Sequence, residues 1–492
     1  MFSPAAAATD VARRSLPRSF VCAALAIAAA ACHGGSNHPE PGTVSTALVR
    51  EWNRIAVDAS GLDHTPSNQG PTHTFGHQLG PCRASRAMAI VHVAMFEAVN
   101  AITGQYTSLL GLPRGNAPSS PNAAMAQAGH DTLVALFPSQ APLFDLRLEA
   151  TLQKEPDGAQ KDAGRVLGSA AAQAVLARRA ADGANHLEPQ IGVDHFCSDA
   201  PGHWRMDPIS QNPTALGGHW AAVTPWVIQD ASQFRCEAPP TIDSAEYAIA
   251  YAEAYAFGGD GINTPTIRTE QETFIGYFWA YDGSPSLCAP PRLYNQLVQQ
   301  VSEQMGTTGP DLLHLLVLAN VAMADTAIAA WDSKYFYDYW RPVLAIREAD
   351  PGTGPTGAGD GNALTACDPG FMPLGAPPSN LNAVAFTPPF PTYPSGHAAF
   401  GGTMFQLLRR YYGTDAIPFT FVSDEWNGVT TDNQGNVRPY RPRHFDRLSE
   451  AEEENGQSRI YLGIHWNFDK TAGIAQGNEV ADWVFDHLYL PR

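Results

Sequence analysis

Hydrophobic residues recur at intervals of three and four positions over much of this sequence, which places them on one face of an α-helix. One such segment has apolar residues at Ala84, Ala87, Met88, Val91, Met95, Ala98, Val99 and Ile102. A second begins near Pro310 and continues to Trp331. No series of alternating strands and no internal repeat is visible. The pattern predicts an all-α protein of two packed helical bundles with long loops rich in proline and glycine.

The pattern also predicts four consecutive parts. Residues 1–32 have the character of an export signal, 33–81 form a tether and an irregular N-terminal segment, 82–310 form an N-terminal helical bundle, and 311–492 form a C-terminal helical bundle. Within the last part, residues 351–395 hold too much proline and glycine for regular structure. A loop of that length inside a folded domain is usually functional.

The chain has 492 residues, of which 44% are hydrophobic, and a formal net charge of -18. This hydrophobic content is typical of a globular protein. The negative average field repels polyanions, so we expect no nucleic-acid partner. An anion site in this protein must therefore be a local cluster of cations.

The N-terminus predicts export. Arg13, Arg14 and Arg18 precede the apolar run Phe20–Ala31, which is too short to span a bilayer and has the length of a signal core. Cys32 follows directly, so a lipid anchor at Cys32 is one alternative. The pair Arg13-Arg14 makes a twin-arginine signal another. We expect a periplasmic or extracellular protein.

Five cysteines lie beyond this segment, at Cys82, Cys197, Cys236, Cys288 and Cys367. They are far apart and include no C-x-x-C pair, so zinc and haem attachment are not indicated. In an oxidising compartment we expect two disulfides and one free thiol, with the pairing open.

Three short motifs carry the candidate chemistry, and the first is Lys334 followed by Arg341-Pro342. Seven residues are almost two helical turns, so both cations are expected on one helix face, with Arg341 near the helix end. The alternative is a pair of solvated surface charges. The aromatic neighbours indicate burial, where such charges need a compensating anion.

The second motif is Ser395-Gly396-His397, directly before a helical stretch that starts at Ala398. A helix start presents free backbone N–H groups that suit an oxyanion, and Gly396 permits close approach. The Ser395 hydroxyl can donate a further hydrogen bond, and His397 is a candidate acid or base. The alternative is an ordinary serine-capped helix with an exposed histidine.

The third motif comprises Arg459, Gly463, His465 and Asp469. Six residues would place Arg459 and His465 on different faces of one helix, but Gly463 offers a helix end that lets them converge. Asp469 can accept the Nδ1 proton of His465 and leave Nε2 free as a ligand or nucleophile. The alternative for Asp469 is a helix N-cap.

Together the motifs supply cations, a hydroxyl, a backbone amide and two histidines, the donor set that a tetrahedral oxyanion requires. Their order resembles that of the vanadium-dependent haloperoxidases and of the related type-2 phosphatidic-acid and bacterial acid phosphatases. The segments 388–397 and 458–469 are most similar to the chloroperoxidase-like haloperoxidases. The resemblance is convincing over residues 311–492 and fainter over 82–310.

This resemblance implies a vanadate cofactor, whose site phosphate can also occupy. His465 would be the ligand to vanadium through Nε2, and His397 would deprotonate hydrogen peroxide. The remaining oxyanion contacts are expected from Lys334, Arg341, Ser395, Gly396 and Arg459. The expected substrates are hydrogen peroxide, a halide and a small organic acceptor. Phe390 stands where the algal bromoperoxidases place a histidine, which would favour chloride oxidation unless Phe390 is core packing alone.

Two other functions remain open from the sequence. An exported acid phosphatase would use His465 as a nucleophile, through a phosphohistidine, with His397 protonating the leaving group. A non-catalytic anion-binding lipoprotein would use the same donors for binding alone. Peroxide and bromide assays after loading with vanadate or with phosphate separate the three.

Overall fold

The computed structural model describes residues 43–115, 118–283, 287–376, 386–432 and 435–492. Within these residues the chain forms thirteen α-helices, numbered α1 to α13 in chain order: Thr46–Asp63, Gly80–Thr103, Pro121–Leu136, Ala141–Leu152, Ala159–Arg179, Ala245–Gly258, Glu270–Phe278, Pro290–Gln304, Gly309–Tyr337, Pro342–Arg347, Gly396–Tyr412, Leu448–Tyr461 and Asn467–His487.

Extended structure is minor in the described part of the chain. Two three-residue strands, β1 (Phe419–Phe421) and β2 (Arg443–Phe445), pair antiparallel with Phe419 opposite Phe445. Short 3-10 turns lie at Pro138–Gln140, Trp220–Ala222 and Asp424–Trp426. The prediction of an all-α fold is confirmed.

Helix α9 lies at the centre of the protein. It begins at Gly309 with a proline in its first turn, and almost every residue from Leu312 to Lys334 is buried. A helix that is apolar on all sides has to be covered on all sides, and α9 packs against α2, α11 and α13. Both α2 and α9 are long and apolar enough to cross a membrane, yet 83% and 94% of their apolar windows are buried inside the protein.

Helices α11 and α13 pack at very short range because small residues face each other. A Cβ atom at Gly477 of α13 would come within 2.1 Å of the Ala399 carbonyl oxygen of α11. Any larger side chain at Gly477 would push the helices apart. This contact holds the start of α11, with Ser395 and His397, beside the start of α13, with Asp469.

The disulfide expectation is wrong for the described residues. All five cysteines beyond the N-terminal segment are free thiols. The Cys288 Sγ lies 2.9 Å from the Ser60 hydroxyl, and the Cys367 Sγ lies 2.9 Å from the Arg347 carbonyl oxygen, so each contacts an oxygen rather than a second sulfur.

The expected signal and the anchor position Cys32 lie outside the described residues. The boundaries between the two bundles stay a prediction. The loop over residues 351–395 contains no helix or strand in its described portions, as the proline and glycine content predicts.

Candidate oxyanion site

The end of α9 positions Lys334. Its side chain is fully buried, and its ammonium group donates to three backbone carbonyls, those of Pro391 at 3.0 Å, Thr392 at 2.9 Å and Pro394. These carbonyls belong to the loop that leads into α11. Lys334 therefore ties the central helix to the loop that carries the Ser-Gly-His motif.

Arg341 is reached by a turn and not by a continuous helix, so the prediction of one helix face for both cations is wrong. Helix α9 stops at Tyr337, and Asp338 takes a left-handed conformation with φ 50°. The Asp338 carboxylate lies 2.9 Å from His203 Nδ1, and its carbonyl accepts from the Trp204 N–H at 2.8 Å. These contacts fix the turn, and Arg341 becomes the residue preceding α10.

The Arg341 guanidinium faces the third motif. Its Nη1 donates to the Ile464 carbonyl at 2.9 Å and lies 3.1 Å from His465 Nε2. Its Nε donates to the Phe390 carbonyl at 3.1 Å. Arg341 is 1% exposed, yet its Nη2 has no hydrogen-bond partner among the described residues.

The second motif forms the start of α11, as predicted. Ser395 precedes the helix, and its hydroxyl accepts from the Ala398 N–H at 3.4 Å. A Cβ atom at Gly396 would come within 3.3 Å of the Trp331 ring, so the position has little room for a side chain. The backbone amides of this turn are therefore accessible at close range.

His397 is buried and not exposed as the structural alternative required. Its Nε2–H donates to the Ala280 carbonyl at 2.6 Å, and Nε2 lies 3.9 Å from the Asp282 carboxylate. This contact leaves Nδ1 as the nitrogen without a hydrogen-bond partner in the described part of the chain. Burial lowers the pKa of His397 well below its usual value, and the Arg459 cation lowers it further. Neutral His397 therefore presents the lone pair of a base.

Helix α12 ends between Arg459 and His465, as the glycine predicts. The helix stops at Tyr461, and Gly463 takes a φ of 70° while its Cα packs on the Gly258 backbone. A side chain at Gly463 would be strained by this positive φ and would also clash with the Gly258 backbone. The reversal brings Arg459 and His465 to the same side of the protein.

Arg459 pairs with a carboxylate on one side only. Its Nη2 lies 2.8 and 2.9 Å from the two carboxylate oxygens of Asp282, and both side chains are almost fully buried. Its Nε and Nη1 have no partner within the described ranges. Burial raises the pKa of Asp282, and Arg459 opposes that rise.

His465 is oriented by Asp469 and Thr392. Its Nδ1–H faces the Asp469 Oδ2 at 2.8 Å, with the Thr392 hydroxyl at 3.1 Å. The Thr392 hydroxyl donates to the same carboxylate oxygen at 2.5 Å, and the Trp466 N–H donates to it at 3.0 Å. Asp469 thus orients His465. It is not the predicted N-cap: Trp466 precedes α13, and Asp469 stands at the third helical position, where its carboxylate accepts from the Trp466 N–H. The arrangement leaves Nε2 with its lone pair facing Arg341.

The electrostatic balance of the site favours an anion. Burial lowers the pKa of Lys334, and the adjacent Arg341 lowers it further. Burial likewise lowers the pKa of Arg341 to about 9 and depresses that of His465. Burial raises the pKa of Asp469 to about 6. The cations destabilise one another, and an anion among them would relieve that repulsion.

The unpartnered groups match a tetrahedral oxyanion in kind. Three guanidinium nitrogens, Nη2 of Arg341 and Nε and Nη1 of Arg459, are buried without acceptors among the described residues. Leaving such a donor unpaired costs about 1–3 kcal/mol. An oxyanion supplies the missing acceptors and the compensating charge together, and the Arg fork suits its geometry. His397, His465 and Arg459 line the floor of a cavity of about 570 Å³.

Comparison with known proteins agrees with this site. A sequence profile described as the VCPO second helical-bundle domain matches residues 314–490. The vanadium chloroperoxidase of Curvularia inaequalis is 30% identical to this chain over 519 residues, covering 88% of this chain and 80% of that protein. The chain belongs to the vanadium haloperoxidase family. The resemblance inferred from the three motifs is confirmed.

Solved structures of the family share the fold. A bacterial vanadium-dependent iodoperoxidase superimposes with a TM-score of 0.70 at 22% identity, covering 92% of this chain and 99% of that chain. The apo form of a bacterial vanadium-dependent chloroperoxidase superimposes with a TM-score of 0.61 at 16% identity, covering 83% and 94%.

Three groups that contribute to this haloperoxidase site were not predicted from the sequence. Asp282 and the Ala280 carbonyl follow α7 in a loop without any motif, far in sequence from Arg459 and His397. Thr392 was visible inside the segment that ends in the Ser-Gly-His motif. A hydroxyl three residues before Ser395 indicates a polar contact, but the spacing of residues in the sequence does not show that the partner is Asp469.

Proposed function

We propose that this protein uses vanadate to oxidise bromide and chloride with hydrogen peroxide, giving hypohalous acid that halogenates a small organic acceptor. The observation that carries the proposal is the set of three buried, unpartnered guanidinium nitrogens near His465, whose Nε2 lone pair faces Arg341 Nη1 at 3.1 Å. Membership of the vanadium haloperoxidase family supports the same cofactor and the same class of substrates.

The residues divide the binding of vanadate between them. Arg341 and Arg459 would donate to its oxygens, with the Ser395 hydroxyl and the Gly396 amide, and His465 would hold it through Nε2. When bound, vanadate supplies a Lewis acid that activates hydrogen peroxide toward halide.

Lys334 acts differently from the direct donor that the resemblance implies. Its ammonium already donates to the carbonyls of Pro391, Thr392 and Pro394. We infer that Lys334 supplies positive potential and holds the loop, while the two arginines make the hydrogen bonds.

His397 is the base that accepts the proton of hydrogen peroxide. The Ala280 carbonyl holds its Nε2–H, so Nδ1 carries the lone pair. This atom takes a proton from hydrogen peroxide, and the low pKa of His397 keeps it in the neutral form that a base requires. Asp282, 3.9 Å from His397 Nε2 and paired to Arg459, positions both residues.

The decisive experiment loads one protein with two anions. Protein freed of oxyanions is given either vanadate or phosphate, and two activities are measured: peroxide-dependent bromination of phenol red and hydrolysis of p-nitrophenyl phosphate. We expect bromination with vanadate and none with phosphate. His465→Ala should lose it, while His444→Ala, whose side chain is 61% exposed, should keep it.

The other outcomes contradict the proposal. Phosphate-ester hydrolysis without bromination would make the protein a phosphatase with a phosphohistidine at His465. Vanadate binding without either activity would make it an anion-binding protein only.

Export is a separate part of the proposal and rests on the sequence of residues 1–32. Fractionation of expressing cells and mass analysis of the mature N-terminus test it. A lipid-modified Cys32 as the first residue would establish the anchored form, a cleaved but unmodified N-terminus the free form, and an intact Met1 in the cytoplasm would refute export.

A further inference from the structure

The cavity above the oxyanion site is far larger than a halide and hydrogen peroxide require. Its volume of about 570 Å³ falls in the range of about 300–1,000 Å³ that is typical of sites for organic molecules. Its floor contains His397 and its upper walls are mainly apolar. Those walls include Phe75, Leu79, Ile209, Leu216 and Phe386, all of them half-buried.

Hydrogen bonds hold the walls in place, so the cavity is preformed. The buried carboxylate of Asp207 accepts from the Ile209 N–H at 2.7 Å and from the Thr387 N–H at 2.9 Å. It thereby joins the turn that carries Ile209 to the segment that carries Phe386. On the other side, the Leu216 carbonyl accepts from Trp331 Nε1 at 2.9 Å.

One buried polar atom in these walls lacks a partner among the described residues. Ser210 lines the cavity beside Ile209, and its hydroxyl is buried without a hydrogen-bond partner among the described residues. Glu188, which also lines the cavity, is already engaged by Arg83 Nε at 3.0 Å and by the Gly217 N–H at 2.6 Å. An occupant would therefore meet a mainly apolar surface with few neutral hydrogen-bonding residues, which are Ser210, Asn212 and Thr214.

We propose that this cavity binds the organic acceptor itself, an apolar aromatic molecule with one hydroxyl group that bonds Ser210 once that side chain rotates its hydroxyl into the cavity. This inference rests on the proposed halide oxidation. The oxidised halogen is then transferred inside the cavity: an aromatic carbon forms the carbon–halogen bond with a π electron pair. The oxygen–halogen bond of the hypohalous acid breaks, its electron pair leaves on oxygen, and the displaced ring proton combines with that oxygen to give water.

Binding is measured first, on protein loaded with phosphate, so that the result does not depend on catalysis. The probe is 2-naphthol, followed by its own fluorescence. We expect saturable binding of one molecule. Ser210→Ala should weaken it roughly three- to tenfold, the equivalent of one neutral hydrogen bond. Ile209→Trp should weaken it by about tenfold or more, because the larger ring fills the space. Leu143→Trp on α4, at a site 40% exposed and outside the cavity, should leave it unchanged.

A competition experiment then tests transfer inside the cavity. Vanadate-loaded enzyme, bromide and peroxide are given equal amounts of 2-naphthol and 6-hydroxynaphthalene-2-sulfonate, which has the same ring with an added charge. The same mixture treated with hypobromous acid in the absence of enzyme gives the reference ratio of the two brominated products. We expect the enzyme to raise the share of brominated 2-naphthol above that reference, and Ile209→Trp to bring it back.

The results distinguish a failure of the acceptor site from a failure of the proposed halide oxidation. Non-saturable binding of 2-naphthol, or a product ratio equal to that of hypobromous acid, would overturn the acceptor site while bromide oxidation continued. Saturable binding sensitive to Ser210→Ala, in a protein without bromide oxidation, would overturn the proposed function and leave an apolar ligand site.

Discussion

The unpartnered N–H groups of Arg459 predict that oxyanions stabilise the folded protein through this residue. Arg459→Lys keeps the positive charge beside Asp282 but removes the fork that leaves Nε and Nη1 free. The variant should therefore still fold, while losing two of the three unpartnered guanidinium nitrogens at the oxyanion site. Phosphate or vanadate should therefore stabilise the variant less than it stabilises the wild type. This loss is separate from any change in the stability of the oxyanion-free protein.

The size of the effect follows from linkage. A ligand at a hundred times its Kd stabilises the native state by about 2.7 kcal/mol. Roughly 430 described residues at about 2.1 cal/mol/K each give an unfolding entropy near 0.9 kcal/mol/K, so the Tm of the wild type should rise by about 3 °C. Two charge-assisted bonds, at the lower limit of about 1.5 kcal/mol each, reduce affinity by more than a hundredfold. At the same phosphate concentration the Tm of the variant should rise by less than about 0.5 °C.

The assay is thermal unfolding with and without phosphate, repeated with vanadate. Arg54→Lys is the matched control, because that arginine lies on α1 with its side chain 56% exposed. It should keep the full shift for both anions. An unchanged shift in Arg459→Lys would refute the assignment of the free guanidinium N–H groups to the oxyanion.

Three further results are expected. Thr392→Val, which removes the donor to Asp469, should weaken vanadate binding by about 10- to 100-fold in a titration, and Thr392→Ser should restore it; equal affinity of the valine variant would contradict the positioning role. Phosphate present beforehand should slow activation by vanadate, since both bind one site; an indifferent activation rate would place vanadate elsewhere. Phe390→His should lower chloride oxidation more than bromide oxidation, whereas equal losses would leave packing against Trp331, at 4.9 Å, as the role of Phe390.

The helical fold could be predicted because its signals are local. The apolar run after Pro310 became the central helix α9, and the glycine at 463 became the reversal that brings Arg459 and His465 together. In both places a few neighbouring residues determine the backbone. Glycine at a positive φ and an apolar run at helical spacing need no knowledge of distant contacts. The burial of α9 on all sides goes beyond the single apolar face that the spacing predicted.

The geometry of the first motif shows where local reasoning fails. Helical spacing placed Lys334 and Arg341 on one face, but Asp338 interrupts the helix in a left-handed conformation. That conformation is stabilised from outside the motif, by His203 and Trp204. Aspartate is among the residues that tolerate it, yet the stabilising partners lie more than a hundred positions away in the sequence.

Asp282 escaped prediction for the same reason. It follows α7 in a short turn, and its importance comes entirely from Arg459, from which it is separated by 177 positions in sequence. A buried arginine implies that a carboxylate exists nearby, but it does not say which of the many acidic residues supplies it. The disulfide expectation failed likewise, because pairing depends on three-dimensional proximity that cysteine counting does not supply.

The proposed acceptor cavity adds wall residues from other parts of the chain to the oxyanion site, and these added walls allow substrate choice to change apart from the chemistry. The cations and histidines come from α9, α11, α12 and their connections, whereas Leu79 and Ile209 come from segments before α9. Trp331 is the structural link between them, since its Nε1 donates to the Leu216 carbonyl while its ring packs on Phe390 and faces Gly396. Substitutions in the outer walls that spare Trp331 should therefore change which acceptor binds without moving the groups that hold the oxyanion.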